Sequence, residues 1–105
     1  METEPITRVL FRAYKTGPFK DDVDALMPDI PGDYSPYTCT CYAHIGQHGI
    51  ADPGAVISMT RPALPAEYEA LKRELESKPF GYRFKVMKRI PNDSLDLRRS
   101  ELKRA

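Results

Sequence analysis

The alternation of apolar and polar residues predicts a pair of strands near the N-terminus. In residues 6–14 (ITRVLFRAY), Val9, Phe11 and Ala13 fall on one side of an extended chain, which is the pattern of a half-buried strand. Residues 23–27 (VDALM) form a second, shorter candidate, and a Gly-Pro pair between the two segments breaks regular structure. These two strands are therefore expected to form a hairpin.

A proline-rich segment and a third strand follow. Residues 27–36 (MPDIPGDYSP) contain three prolines, which lack a backbone donor, so this stretch is predicted to be a surface loop. Residues 37–44 (YTCTCYAH) alternate again, and their odd positions are the more apolar and are predicted to face the core. These odd positions are Tyr37, Cys39, Cys41 and Ala43. Gly46 and Gly49 are expected to end the strand.

Two helices are predicted in the centre of the chain. Asp52 followed by Pro53 is a favourable N-cap and first helical residue, and a short helix should run from there to about Met59. Residues 65–77 (PAEYEALKRELES) repeat apolar side chains at helical spacing, with acidic residues before basic ones, as the helix dipole favours. The apolar face of this second helix consists of Leu64, Tyr68, Leu71 and Leu75.

The last predicted strand covers residues 81–90 (GYRFKVMKRI). Tyr82 and Phe84 fall on one side of it, and Arg83 and Lys85 fall on the other. A Pro-Asn-Asp sequence then ends the strand.

These elements predict a single α+β domain over residues 1–90, in the order β-β-β-α-α-β, followed by a charged tail or short polar helix over residues 91–105. The sheet is expected to be small and antiparallel or mixed, with the helices packed on one face. With 105 residues, of which 41% are hydrophobic and 30% charged, the chain resembles an ordinary globular domain rather than a disordered segment. Because no apolar run approaches a membrane span and the N-terminus is acidic, we expect a cytoplasmic protein without membrane association.

Positive charge is concentrated at the C-terminal end. Residues 81–105 contain eight Lys or Arg against three Asp or Glu, whereas residues 1–36 contain four against seven. Basic clusters of this kind are typical of phosphate contacts, so nucleic acid is one candidate partner. The residues that would contact it are Arg83, Lys85, Arg89, Arg98 and Arg99. Because the neighbouring aromatic residues fall on the opposite side of the strand, a solvated basic surface explains the pattern more simply.

Both cysteines and both histidines lie within residues 39–49 (CTCYAHIGQHG), and these side chains are the types that bind zinc or form a Cys–His nucleophile pair. The candidate ligands are Cys39, Cys41, His44 and His48. In an extended strand Cys41 and His44 point to opposite faces, and one residue between two cysteines is a shorter spacer than zinc sites use. The sequence therefore predicts reduced, buried cysteines with no metal or other cofactor. A small metal-binding protein or enzyme that uses these four residues is the alternative function.

The polar residues that follow the third strand are the main candidates for binding. They are His44, Gln47, His48 and Asp52, and they lie beside two glycines that allow close backbone approach. No phosphate-binding loop and no set of catalytic residues is recognisable in the sequence. We therefore expect a small cytoplasmic, non-catalytic binding or regulatory protein whose partner is another protein.

The run Tyr42-x-His44-x-Gly46-Gln47-His48-Gly49, followed by Thr-Arg-Pro and a helix containing tyrosine, resembles a group of short uncharacterised proteins from bacteria and phages. The resemblance extends over residues 8–90. It implies a bacterial or phage origin and a compact domain, and it implies no activity, cofactor or site residue.

Overall fold

The computed structural model describes residues 5–43 and 47–104, and within these ranges it contains six strands and three helices. The strands are β1 Thr7–Tyr14, β2 Val23–Pro31, β3 Cys39–Ala43, β4 Gln47–Ala51, β5 Thr60–Pro62 and β6 Phe84–Val86. The helices are α1 Pro53–Met59, α2 Pro65–Glu76 and α3 Ser94–Arg104. The α+β class and the single compact domain are confirmed, but the order of elements differs from the predicted one, which lacks β4 and β5. No helix in the described part of the chain is both long and apolar enough to cross a membrane.

The strands form one sheet in the order β4-β3-β2-β1-β5, and the neighbours in this order pair antiparallel. β6 pairs with β1 in parallel. The carbonyls of Val9 and Phe11 accept hydrogen bonds from the N–H groups of Met87 and Ala63, and alternate carbonyls of a strand point to the same edge. β5 and β6 therefore lie end to end along one edge of β1.

Both faces of the sheet are buried around β1. Val9, Phe11 and Ala13 pack against α2 through Leu71 and Leu75. The cluster on the opposite face consists of Leu10, Leu26, Cys39, Ala51 and Val56, and the last of these belongs to α1. The expectation that the helices cover one face is therefore wrong, because the apolar residues at both odd and even positions of the central strands need a cover on each side.

β2 is longer than its sequence pattern predicts. It continues through residues 27–31, which are predicted to be loop, and Pro28 is fully buried. The pairing of β2 with β3 shifts between Met27 and Pro31. Proline is tolerated in a strand at such an irregularity because no regular ladder bond is lost there. Only residues 32–38 form the loop that the prolines predict.

β3 and β6 are shorter than predicted. In β3 the two buried residues are Cys39 and Tyr42, which lie on opposite faces, while Tyr37 precedes the strand and is exposed. The odd positions are therefore not a single core face. β6 has three residues because only Thr7–Val9 of β1 pairs with it, and β5 occupies the same edge at Arg12–Tyr14.

α1 and α2 begin as predicted. The Asp52 carboxylate accepts hydrogen bonds from the N–H groups of Gly54 and Ala55, at 3.0 and 3.3 Å, and so caps α1. At the start of α2 the side chain of Leu64 cannot accept a hydrogen bond, and the Glu67 carboxylate reaches back to the Leu64 N–H at 2.8 Å.

α3 is docked on β2 by two buried polar side chains, Ser94 and Arg98. The guanidinium of Arg98 donates hydrogen bonds to the carbonyls of Pro28 and Pro36, the latter at 2.6 Å. The Ser94 hydroxyl donates to Asp29 at 2.7 Å. The C-terminal segment is thus a polar helix that belongs to the domain.

Candidate functional site

The segment that the sequence marks for binding forms the edge strand β4 rather than a loop. Gln47 begins β4, His48 lies within it, and Asp52 follows it as the N-cap of α1. His44 lies outside the described residues. Because the Asp52 carboxylate already accepts two amide hydrogen bonds, it is committed to its helix. The side chain of Gln47 also lies outside the described part of the structure. Among the candidates whose side chains are described, His48 is the one whose surroundings suit binding.

His48 lies among aromatic rings on the face of the sheet that carries α2. Its ring centroid is 4.9 Å from that of Tyr42, 5.3 Å from that of Phe80 and 6.0 Å from that of Tyr82. Tyr42 is directly opposite His48 in the pairing of β3 with β4, so the two side chains share a face. These four residues are called the His48 cluster below.

Hydrogen bonds orient the polar atoms of the His48 cluster. The Tyr82 hydroxyl is 3.0 Å from His48 Nε2, and the Tyr42 hydroxyl donates to Glu74 Oε2 at 2.6 Å. The bond to Glu74 raises the pKa of Tyr42, and burial raises the pKa of Tyr82. Both phenols therefore stay protonated at neutral pH, where they hold neighbouring groups by hydrogen bonds.

The direction of the backbone groups in β4 follows from the register of the sheet. The carbonyl of Phe11 points from β1 toward the β5 edge, so the even-numbered residues of β1 point toward β2. The same alternation, carried across β2 and β3, makes the backbone groups of Cys41 and Gly49 point toward each other. The N–H and C=O groups of His48 and Ile50 therefore point to the outer edge of β4.

This outer edge is open to another chain. Among the strands of residues 5–43 and 47–104, only β3 pairs with β4. β4 contains no Asp, Glu, Lys, Arg or proline, which are the residues that usually protect an edge strand from pairing. Ile50, on the same face as His48, is 58% exposed, and Phe80 in the His48 cluster is 38% exposed. β4 thus combines exposed apolar side chains with backbone groups that no other described strand pairs with.

The cysteines lie on the opposite face of the sheet from His48. Cys41 is opposite Gly49 in the pairing of β3 with β4, whereas His48 is opposite Tyr42. Cys39 is buried and Cys41 is half-buried, and both are free thiols. Because the sheet separates the thiols from the His48 ring, these side chains cannot share a metal ion. Within the described ranges, no three His, Cys, Asp or Glu side chains are grouped so that they could hold one.

Thiol labelling tests this placement of the cysteines. Burial raises the pKa of Cys39 to about 12 and also raises the pKa of Cys41. We expect Cys39 in the native protein at pH 8 to react with a maleimide about a hundredfold more slowly than in urea, and Cys41 to react at an intermediate rate. Peptide-level mass spectrometry against time measures both rates. Rapid labelling of native Cys39 would show that the core cluster around Leu10, Leu26 and Cys39 is open to solvent.

The basic residues that the sequence proposes as nucleic-acid contacts differ in their exposure to solvent. Arg98 is buried and its guanidinium bonds to the carbonyls of Pro28 and Pro36, so it is not available to a phosphate. Arg99 is exposed, and its Cζ lies 6.0 Å from the centre of the Tyr37 ring. The exposed residues of the remaining set are Arg83, Lys85 and Arg89.

Most of the His48 cluster is missing from the sequence prediction. Tyr42 occupies an even position of β3, the side that the alternation assigns to solvent. Phe80 and Tyr82 lie more than thirty residues away along the chain and are brought to His48 by the segment after α2. The one sequence feature that could have found them is the concentration of aromatic residues in residues 80–84 (FGYRF).

No protein-family model, curated protein or solved structure matches this chain. What the protein does is therefore inferred from its own residues and their geometry.

Proposed function

We propose that this protein is a non-catalytic binding module that takes an extended segment of another protein onto the outer edge of β4. The observation that carries the proposal is the pair of outward-pointing backbone groups at His48 and Ile50. An incoming strand would bond to these groups and continue the sheet. The free thiols of Cys39 and Cys41 support a cytoplasmic location, since the cytosol keeps thiols reduced.

The side chains beside the edge determine which segment would fit. His48 and Ile50 project from the same face, next to Phe80, and an added strand would place every second side chain beside them. The matching segment therefore carries apolar residues at alternate positions. Glu74, whose carboxylate accepts the Tyr42 hydrogen bond, adds a negative charge beside the His48 cluster and favours a Lys or Arg in the partner.

Replacing Ile50 with proline is expected to weaken peptide binding about tenfold, which corresponds to about 1.4 kcal/mol. Proline removes the outward N–H of residue 50, and its ring obstructs an incoming strand. The bonds between β3 and β4 are made by the odd-numbered residues of β4, so the domain should remain folded. Peptides selected from a random library against the unmodified protein supply the ligand, and fluorescence polarisation gives the Kd.

Ile50→Val is the matched control, because it keeps both the amide and an apolar side chain, and we expect its Kd to stay within about threefold of the original. Hydrogen exchange gives a second readout: the amides of His48 and Ile50 should gain protection when peptide binds. Selected peptides that bind Ile50→Pro as tightly as the unmodified protein would contradict the proposal. Protection of these two amides by self-association would also contradict it, since the occupant of the edge would then be a second copy of the chain.

A further inference from the structure

β5 and β6 leave a notch between them along the edge of β1. β6 pairs with Thr7–Val9 and β5 pairs with Arg12–Tyr14, so no strand among the described residues pairs with this edge between them. There the carbonyls of Val9 and Phe11 accept single hydrogen bonds from the N–H groups of Met87 and Ala63. The notch has a volume of about 470 Å³. This volume falls within the range of about 300–1,000 Å³ that is typical of small-molecule sites.

The walls of the notch are largely flat and apolar. The rings of Phe11 and Tyr68 are stacked, with centroids 4.4 Å apart and planes inclined by 10°. Pro62, Val86 and Met87 complete the apolar lining. Ring faces and aliphatic side chains in this arrangement suit a flat aromatic body.

The notch is lined by two cations, Arg12 and Lys88, and by no Asp or Glu. Arg12 is only 7% exposed, and its guanidinium bonds to neutral oxygens. These are Thr60 Oγ1 at 3.0 Å, the Thr60 carbonyl at 2.8 Å and the Ile57 carbonyl at 3.3 Å. None of the ion pairs among the described residues includes Arg12, and burial lowers its pKa. Because a buried cation is normally paired with an anion, an anionic group in the notch would offset this charge.

We propose that this notch binds a small aromatic carboxylate. The aromatic ring would lie against Tyr68, Pro62 and Val86, and the carboxylate would be directed toward Lys88 and Arg12. This site is independent of the peptide-binding edge, because β4 and β5 lie at opposite ends of the sheet. Failure of one proposal therefore leaves the other unaffected.

Titration of the full chain with 2-naphthoate, followed by two-dimensional NMR, tests the proposal. We expect saturable 1:1 binding, with amide shifts centred on Phe11, Ala63 and Val86. The neutral analogue 2-naphthamide should bind about tenfold more weakly, because it lacks the charge that the two cations attract. Lys88→Glu should weaken naphthoate binding about fivefold, whereas Lys85→Glu, the same charge change on β6 outside the notch, should stay within about twofold.

Three results would overturn this assignment. The first is the absence of saturable naphthoate binding, and the second is equal affinity for naphthoate and naphthamide. The third is equal weakening by Lys88→Glu and Lys85→Glu, which would indicate general attraction to a basic surface. The comparison of naphthoate with naphthamide uses the unmodified chain, so it remains valid even if Lys88→Glu or Lys85→Glu impairs folding.

Discussion

Replacing Leu75 with alanine is expected to reduce the free energy of unfolding by about 2–5 kcal/mol. Leu75 is 0% exposed and belongs to the core cluster that α2 forms with Val9 and Phe11 of β1. Truncation removes buried apolar surface and leaves a cavity, and β1 cannot move to fill it because it is paired along both edges. Urea unfolding followed by circular dichroism measures the change.

Leu64→Ala is the matched control for this prediction. The helical spacing places Leu64 on the same apolar face as Leu75, yet Leu64 is 64% exposed. Its truncation should therefore change the free energy of unfolding by less than about 0.5 kcal/mol. Similar losses in the two variants would show that α2 does not present Leu75 to the core as described.

Replacing Arg98 with alanine is expected to reduce the free energy of unfolding by about 3 kcal/mol. The substitution removes the guanidinium that donates hydrogen bonds to the carbonyls of Pro28 and Pro36. Hydrogen bonds to a charged group contribute about 1.5–3 kcal/mol each. It also removes the buried attachment of α3 to β2, so the helix should become sensitive to proteolysis at Arg104 and Lys103. Urea unfolding and limited trypsin digestion measure the two effects.

Arg99→Ala is the control for Arg98→Ala, because it removes the same charge from the next residue of α3. Arg99 is exposed and lies over the ring of Tyr37, so its loss should change the free energy of unfolding by less than about 0.5 kcal/mol. If Arg98→Ala were as stable as Arg99→Ala, the docking of α3 through the buried guanidinium would be wrong. The pair also separates a structural arginine from one that is free to contact a ligand.

The parts of the fold that depend on near neighbours are predictable from the sequence. α1 begins where Asp52 and Pro53 predict, since a cap acts on amides two and three residues away. The spacing of Leu71 and Leu75 identifies the buried stripe of α2, since residues four apart share one helical face. In the candidate site, the same local reasoning identifies His48 as a binding candidate, but its position on the opposite face from the cysteines follows only from the pairing of β3 with β4.

The parts that depend on distant partners are not predictable in this way. Gly49 lies within a strand because Cys41 is paired opposite to it, although a glycine usually argues for a turn. Pro28 lies buried within β2, and its carbonyl accepts a hydrogen bond from Arg98, which is 70 residues further along the chain. No local periodicity contains information about these pairings.

The sequence by itself determined the α+β class and the two central helices, and it singled out the segment around His48 as the candidate for binding. Only the tertiary structure decided that this segment is an edge strand, that Tyr82 and Phe80 surround His48, and that Arg98 is buried rather than available to a ligand. The physical reason is that helix formation is governed by contacts within a few residues, whereas strand pairing and the burial of a sheet face depend on which distant segments come to lie against it.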